Sequence, residues 1–235
     1  MLVHVEGEAE EIFVNELIAP HLAGLGFCYV SPRLLGNARQ RLNRGGIRGW
    51  DSARKDIVNH LLEDRGRHVT TMVDYYALPQ GKKGKAWPGR AEAGTKGFAL
   101  KASTVELALK QDVATELPAP SDHNRFIPFV LMHEFEGLLF SDPAKFASGV
   151  GRPTLEVDLR AIRSQFKTPE EINDSPETAP SKRIMRLFAE QACGKYAKPL
   201  LGCLAALEIG LDKIRLECPH FNSWLRGLEA LAGDA

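Results

Sequence analysis

The 235-residue chain balances thirty basic against thirty acidic side chains, so no global field draws it to nucleic acid or to an anionic membrane surface. A hydrophobic content of 44% supports one sizeable core, expected as an α/β core over residues 1–142 with a helical region, residues 143–235, packed on it as one compact unit. Cys28, Cys193, Cys203 and Cys218 form no C-x-x-C pair, and no apolar run is long enough to span a bilayer. The expectation is therefore a cytoplasmic protein with reduced thiols, neither exported nor membrane-embedded.

Taken in chain order, residues 2–5 are apolar, and Ile12, Phe13, Leu17, Ile18 and Leu22 follow at helical spacing. This predicts strand, tight turn, helix. A second strand is expected at about Phe27 to Val30, then a glycine- and arginine-rich loop. An amphipathic helix follows over Asp51 to Glu63, with Ile57, Val58, Leu61 and Leu62 inward. The β-branched run from His68 to Val73 predicts a third strand. Glycine, proline and lysine between Pro79 and Gly97 predict a long surface loop without regular structure. A helix over Leu100 to Val113 leads to Phe126-Ile-Pro-Phe-Val-Leu-Met132, a run suited to a doubly buried strand except at Pro128. From Ser141 onward the pattern is helical, over Leu155 to Phe166, Lys182 to Gln191, Leu200 to Leu207 and Phe221 to Leu231. Strands alternating with helices in the first 140 residues predict right-handed crossovers and a mostly parallel sheet.

Three of the predicted strands end at an acid: Glu6, Asp74 and Glu134. In an open parallel sheet the carboxyl ends of the strands line one edge, and ligands bind in the crevice outside it. Carboxylates gathered there repel one another unless protons or cations neutralise them, and an oxygen-only donor set suits Mg²⁺ or Mn²⁺ better than zinc. Gly7 permits a sharp turn after Glu6, and Glu10, one helical turn on, can come back towards it. Glu11 reads better as a charge favourable to the helix dipole. Glu134 and Glu136 point the same way if the strand continues and diverge if a helix begins, and His133 is either a proton shuttle or a satisfied buried histidine.

The segments Val5-Glu-Gly-Glu-Ala-Glu-Glu11, Thr71-Met-Val-Asp-Tyr-Tyr-Ala-Leu-Pro79 and His133-Glu-Phe-Glu-Gly-Leu-Leu-Phe-Ser-Asp142 resemble the bacterial domain-of-unknown-function family 4276. The likeness continues through Glu177-Thr-Ala-Pro-Ser-Lys-Arg-Ile184, Lys198-Pro-Leu-Leu-Gly202, Ile209-Gly-Leu211 and Cys218-Pro-His-Phe221. That family is similar to TOPRIM domains, especially those of OLD-type nucleases. The resemblance implies a TOPRIM-like fold and a site that hydrolyses phosphodiesters with Mg²⁺ or Mn²⁺. It also implies a bacterial anti-phage defence or mobile-element setting, with an ATPase of the AAA or ABC type as partner and with room for a homodimer. By the same resemblance Glu6 is the metal-bound or general-base glutamate, Asp74 the first metal aspartate, and Glu134 or Glu136 completes a second metal site. TOPRIM domains carry Asp-x-Asp where this chain has Asp74-Tyr75-Tyr76. Either the Glu134/Glu136 pair substitutes, or the chain is a non-catalytic regulatory or binding subunit.

Arg33, Arg39, Arg41, Arg44, Arg48, Arg54 and Lys55 cluster in sequence, as do Lys82, Lys83, Lys85, Arg90 and Lys96 around Trp87. Arg44, Arg48, Lys82, Lys83 and Lys85 are the candidate contacts to a nucleic-acid backbone, against the alternative of a solvated surface. Ser181 reads as a helix N-cap with Lys182 in the first turn, where a cation opposes the helix dipole and invites a phosphate. Lys182 is the preferred basic site residue, ahead of Lys195 and Lys198. Cys218-Pro-His220 lacks a second pair at zinc-like spacing and reads as packing.

Overall fold

The computed structural model of the protein describes residues 1–35, 47–81, 85–172 and 176–234. Strand β1 (Leu2–Val5) runs into helix α1 (Glu8–Phe13), which continues through a π-helical segment (Val14–Ile18) into α2 (Ala19–Gly24). Strand β2 (Ser31–Leu34), helix α3 (Trp50–Glu63) and strand β3 (Val69–Asp74) follow. Next come α4 (Arg90–Ala93), α5 (Phe98–Ala114) and the short strands β4 (Phe126–Ile127) and β5 (Val130–Leu131). A 3₁₀ helix (Phe135–Ser141) then leads to α6 (Pro143–Gly149), α7 (Glu156–Arg163), α8 (Pro180–Glu190), α9 (Lys198–Ile209), α10 (Leu211–Glu217) and α11 (Pro219–Ala230).

The sheet order is β2-β1-β3-β4, with β5 also on β3, and every described pairing is parallel. Side-chain alternation then divides the interior in two. Val3, Val5 and Met72 face a core shared with Phe13 and Leu22 and with helices α6, α9 and α11. Leu2, Val69 and Val73 face a second core made with Ile57 and Leu61 of α3 and Val105 and Leu109 of α5. With helices on both faces, all six residues of β3 are buried, as its unbroken apolar and β-branched run requires.

Several expectations shift. The second strand lies at Ser31–Leu34 and not at Phe27 to Val30, because pairing with Leu2–Val5 selects that register; Pro32 is tolerated since β2 is an edge strand. The run Phe126 to Met132 splits at Pro128 into two strands. Thr71 bridges the break, its hydroxyl accepting from the Phe129 N–H and donating to the Phe129 carbonyl, each at 2.9 Å. Leu62 points outward, 51% exposed, while its neighbours Ile57, Val58 and Leu61 face inward. The expected irregular loop from 79 to 97 contains α4 and buries Trp87 and Arg90. The Trp87 indole donates to the Arg48 carbonyl at 2.8 Å and its ring lies 4.9 Å from that of Trp50, so the described part is folded onto α3.

The carboxy-terminal helices anchor on the sheet through α11, where the Trp224 indole donates to Thr70 Oγ1 at 2.9 Å and stacks on Phe129 at 4.4 Å. Helices α6 and α9 cross tightly at Gly149, where a Cβ would lie 2.8 Å from the Ala205 Cα. Lys198, in the first turn of α9, reaches the acids at the carboxyl edge of the sheet through its ion pair with Glu136.

Candidate functional site

The parallel register places the last residue of β1 beside Met72, so Glu6, one residue beyond β1, and Asp74, which closes β3, meet at the carboxyl edge. The Asp74 N–H donates to Glu6 Oε2 at 3.4 Å, and Asp74 Oδ1 accepts from the Phe135 N–H at 2.9 Å. The second bond draws the segment after β5 onto the same edge. Gly7 forms the turn in extended backbone, and a Cβ there would crowd Glu10 Oε2 at 3.2 Å. Glycine therefore leaves room for the Glu10 carboxylate to fold back beside Glu6.

Glu134 and Glu136 diverge because a 3₁₀ helix starts at Phe135. Glu134 Oε2 accepts the Ser181 N–H at 3.0 Å, satisfying a first-turn donor of α8. Glu136, with no exposed surface, turns to Lys198, whose Nζ lies 2.9 Å from Glu136 Oε2. The other Glu136 oxygen and the Tyr196 hydroxyl are buried with no hydrogen-bond partner among the described residues.

The electrostatics follow from this crowding. Burial pushes the Glu6 carboxyl up to about 7, aided by the charges of Glu10 and Glu134. Burial likewise raises Glu10. Asp74 is held well above the usual aspartate range by burial and then by Glu10 and Glu6. Glu136 rises to about 7 through burial, with Lys198 pulling the other way. For Lys198, desolvation works against the charge, but Glu136, Asp74 and Glu134 outweigh it and hold the ammonium above its ordinary value. One cation thus serves several acids, and with 42% of its side-chain surface exposed it can also meet a ligand.

Among the described residues, no three His, Cys, Asp or Glu side chains are arranged to hold a metal ion. The acids offer only oxygen, the donor type that a hard divalent cation takes, and one buried Glu136 oxygen has no partner among the described residues.

The remaining predicted residues divide. Ser181 is not the N-cap; Ala179 holds that position, and Ser181 contributes its backbone N–H to Glu134. Lys182 is exposed, and no described contact ties it to the acids. Lys198, ranked below it from sequence, fills the cationic role. The signal available for it was its place in Lys198-Pro-Leu-Leu-Gly202, with proline just inside a helix start. His133 is buried, stacked on Tyr76 at 5.0 Å and beside Tyr75 and Phe98. Arg48 donates to Ser52 Oγ at 3.2 Å, and the Lys85 carbonyl accepts from the Trp50 N–H at 3.3 Å. Arg44, Lys82 and Lys83 lie outside the described residues.

The family model described as Domain of unknown function (DUF4276) matches residues 5–229. The chain belongs to this family. All of the acids above fall within the matched residues, as does Lys198. No curated protein and no solved structure matches the chain.

Proposed function

We propose that this member of the family is a divalent-metal-dependent nuclease with a TOPRIM-like site, hydrolysing phosphodiester bonds in DNA or RNA. The observation that carries the reading is the convergence of Glu6, Glu10, Asp74, Glu134 and Glu136 on Lys198 at the carboxyl edge of a parallel sheet. Mg²⁺ or Mn²⁺ would be held by Glu6, Asp74 and Glu134, and when bound it would acidify a water and offset charge on the reacting phosphate. Glu136 keeps Lys198 oriented, and the ammonium faces the phosphate oxygens. The strand-end motifs that resemble OLD-type nucleases support the assignment, along with a defence or mobile-element setting and an ATPase partner.

A second reading, a non-catalytic regulatory or binding subunit of an ATPase complex, is favoured by a different observation. Lys198 already supplies a cation to the acids, and Tyr76, where TOPRIM domains have an aspartate, stacks on His133.

Purified protein, with and without a candidate ATPase, is incubated with single- and double-stranded DNA and RNA in Mg²⁺ or Mn²⁺, beside Glu6→Gln and Asp74→Asn. The first reading expects metal-dependent cleavage that both substitutions lower by about 10²–10³-fold. Wild type that cleaves nothing under every metal and partner condition, or variants that cleave as well as wild type, would leave the second reading.

A further inference from the structure

We infer that the outer face of α8 carries the nucleic-acid strand as it leaves the acid cluster, with Lys182 and Arg186 on its backbone phosphates and Arg183 behind them. The inference rests on the proposed nuclease reading for the nature of the ligand and adds the path that the ligand follows. Three observations carry it.

First, α8 begins at the site. The Ser181 N–H donates to Glu134 Oε2 at 3.0 Å, so the first turn of the helix is fixed against one of the acids. Lys182 and Arg186 follow one turn apart, about 6 Å along the axis. Both are exposed, as is Met185 between them, while Ile184, Leu187 and Phe188 turn the opposite face into the core.

Second, the start and middle of this face carry one sign of charge. Among the described residues, Lys182, Arg183 and Arg186 have no carboxylate within ion-pair distance, and the acid of α8 itself, Glu190, stands at the far end of the helix. Burial and then the charge of Arg186 hold the Arg183 guanidinium below its ordinary value, and no described carboxylate offsets them. Neutral groups position it instead: it lies 5.4 Å from the Phe166 ring centroid and donates through Nε to the Thr178 carbonyl at 2.8 Å.

Third, the first turn of α8 holds Lys182 and Arg183 and no acid, the reverse of what the helix dipole favours. The partial positive charge of the helix start therefore adds to the cations. A polyanion relieves both, and a backbone whose phosphodiester lies at the acids is a polyanion within reach of this face.

The test is fluorescence anisotropy without divalent ions, on labelled single-stranded and duplex DNA over a salt series. The double variant Lys182→Ala with Arg186→Ala should weaken binding about tenfold and lower the slope of log affinity against log salt by about two. Its urea midpoint should not fall, because both side chains are exposed. Arg226→Ala, which removes an exposed cation from α11, should keep the wild-type slope. A double variant with the wild-type slope, or an Arg226→Ala protein that loses as much per charge, would overturn the inference. Polyglutamate that displaces the labelled DNA from wild type as well as unlabelled DNA of equal charge would also overturn it, and would give the face to an acidic protein segment. Failure is assignable: a wild type that cleaves while the double variant keeps its slope sinks only the α8 path, whereas the full loss of slope in a protein that cleaves nothing keeps the path and sinks the nuclease reading.

Discussion

Arg125 and Lys198 are both cations at the ends of the same parallel sheet, and they are treated in opposite ways. At the amino edge, Arg125 is buried just before β4, and its Nη1 donates to the carbonyls of Leu61, Asp64 and Arg67 at 2.8, 3.1 and 3.2 Å while Nη2 pairs with Asp122 at 3.1 Å. Its one acid and its carbonyls close the accounting. At the carboxyl edge, Lys198 is shared among Glu136, Asp74 and Glu134, its side chain is partly exposed, and a buried Glu136 oxygen goes without a partner. The first arrangement ties α3, the turn after it and β4 together. The second leaves electrostatic demand unmet, which is costly for folding and useful for holding a ligand.

The comparison can be broken most sharply at Asp74. Replacing it with Asn keeps the oxygen that accepts from the Phe135 N–H but removes the ionisable carboxyl, so the proposed metal-dependent cleavage should fall by about 10²–10³-fold, with urea unfolding still cooperative. The amino edge should answer in the opposite currency. Arg125→Met strands three carbonyl acceptors and should cost about 3 kcal/mol in urea unfolding, while any cleavage measured at low temperature persists.

A third measurement reads the raised carboxyls through pH. Glu136 titrates near 7 in the folded protein, against 4.5 ordinarily, so the native state binds more protons between those values. The stability this contributes is fully present below about 4.5 and is lost as pH rises through about 7. Without divalent ions, the stability of Glu136→Gln relative to wild type should therefore rise on the order of 3 kcal/mol between pH 4.5 and 8. Buried His4, lowered to about 3 by burial and by its neighbour His60, acts in the reverse sense. Its contribution is complete above about 6.5 and fades as pH falls, so His4→Gln should flatten the acid limb instead. A flat difference curve for Glu136→Gln would show that the carboxyl is not raised.

The smallest expected effect is at Tyr196. Removing a buried, partnered hydroxyl ordinarily destabilises, but this hydroxyl has no partner among the described residues. Tyr196→Phe should change stability by less than about 1 kcal/mol, in the stabilising direction, when followed by thermal or urea unfolding. A clear loss of stability would reveal a bond made in solution.

Much of this was legible in the sequence because it is local. An apolar run that stops at an acid fixes both a buried strand and a carboxylate at its end, so Glu6 and Asp74 are named without coordinates. The helices whose apolar positions recur every three to four residues were found near their observed bounds, whereas the short α6 and α10 were not singled out. The edge strand β2 was misplaced because Ser-Pro-Arg-Leu carries almost no strand signal of its own. It becomes a strand only by pairing with β1. Lys198 ranks below Lys182 for the same kind of reason: the local motif places it at a helix start, but which lysine faces the acids is decided by where α9 packs, which the chain around residue 198 does not reveal.

By itself, then, the sequence determined the parallel α/β class and the acids that end its strands, through periodicity and chain-local chemistry. Tertiary structure alone decided that Glu134 and Glu136 part company, that Arg90 is buried without an acid, and that Lys198 is the cation the acids share. Those outcomes turn on distances between segments far apart in the chain, where a shift of one residue in register or one close helix crossing redirects a side chain from solvent to the site.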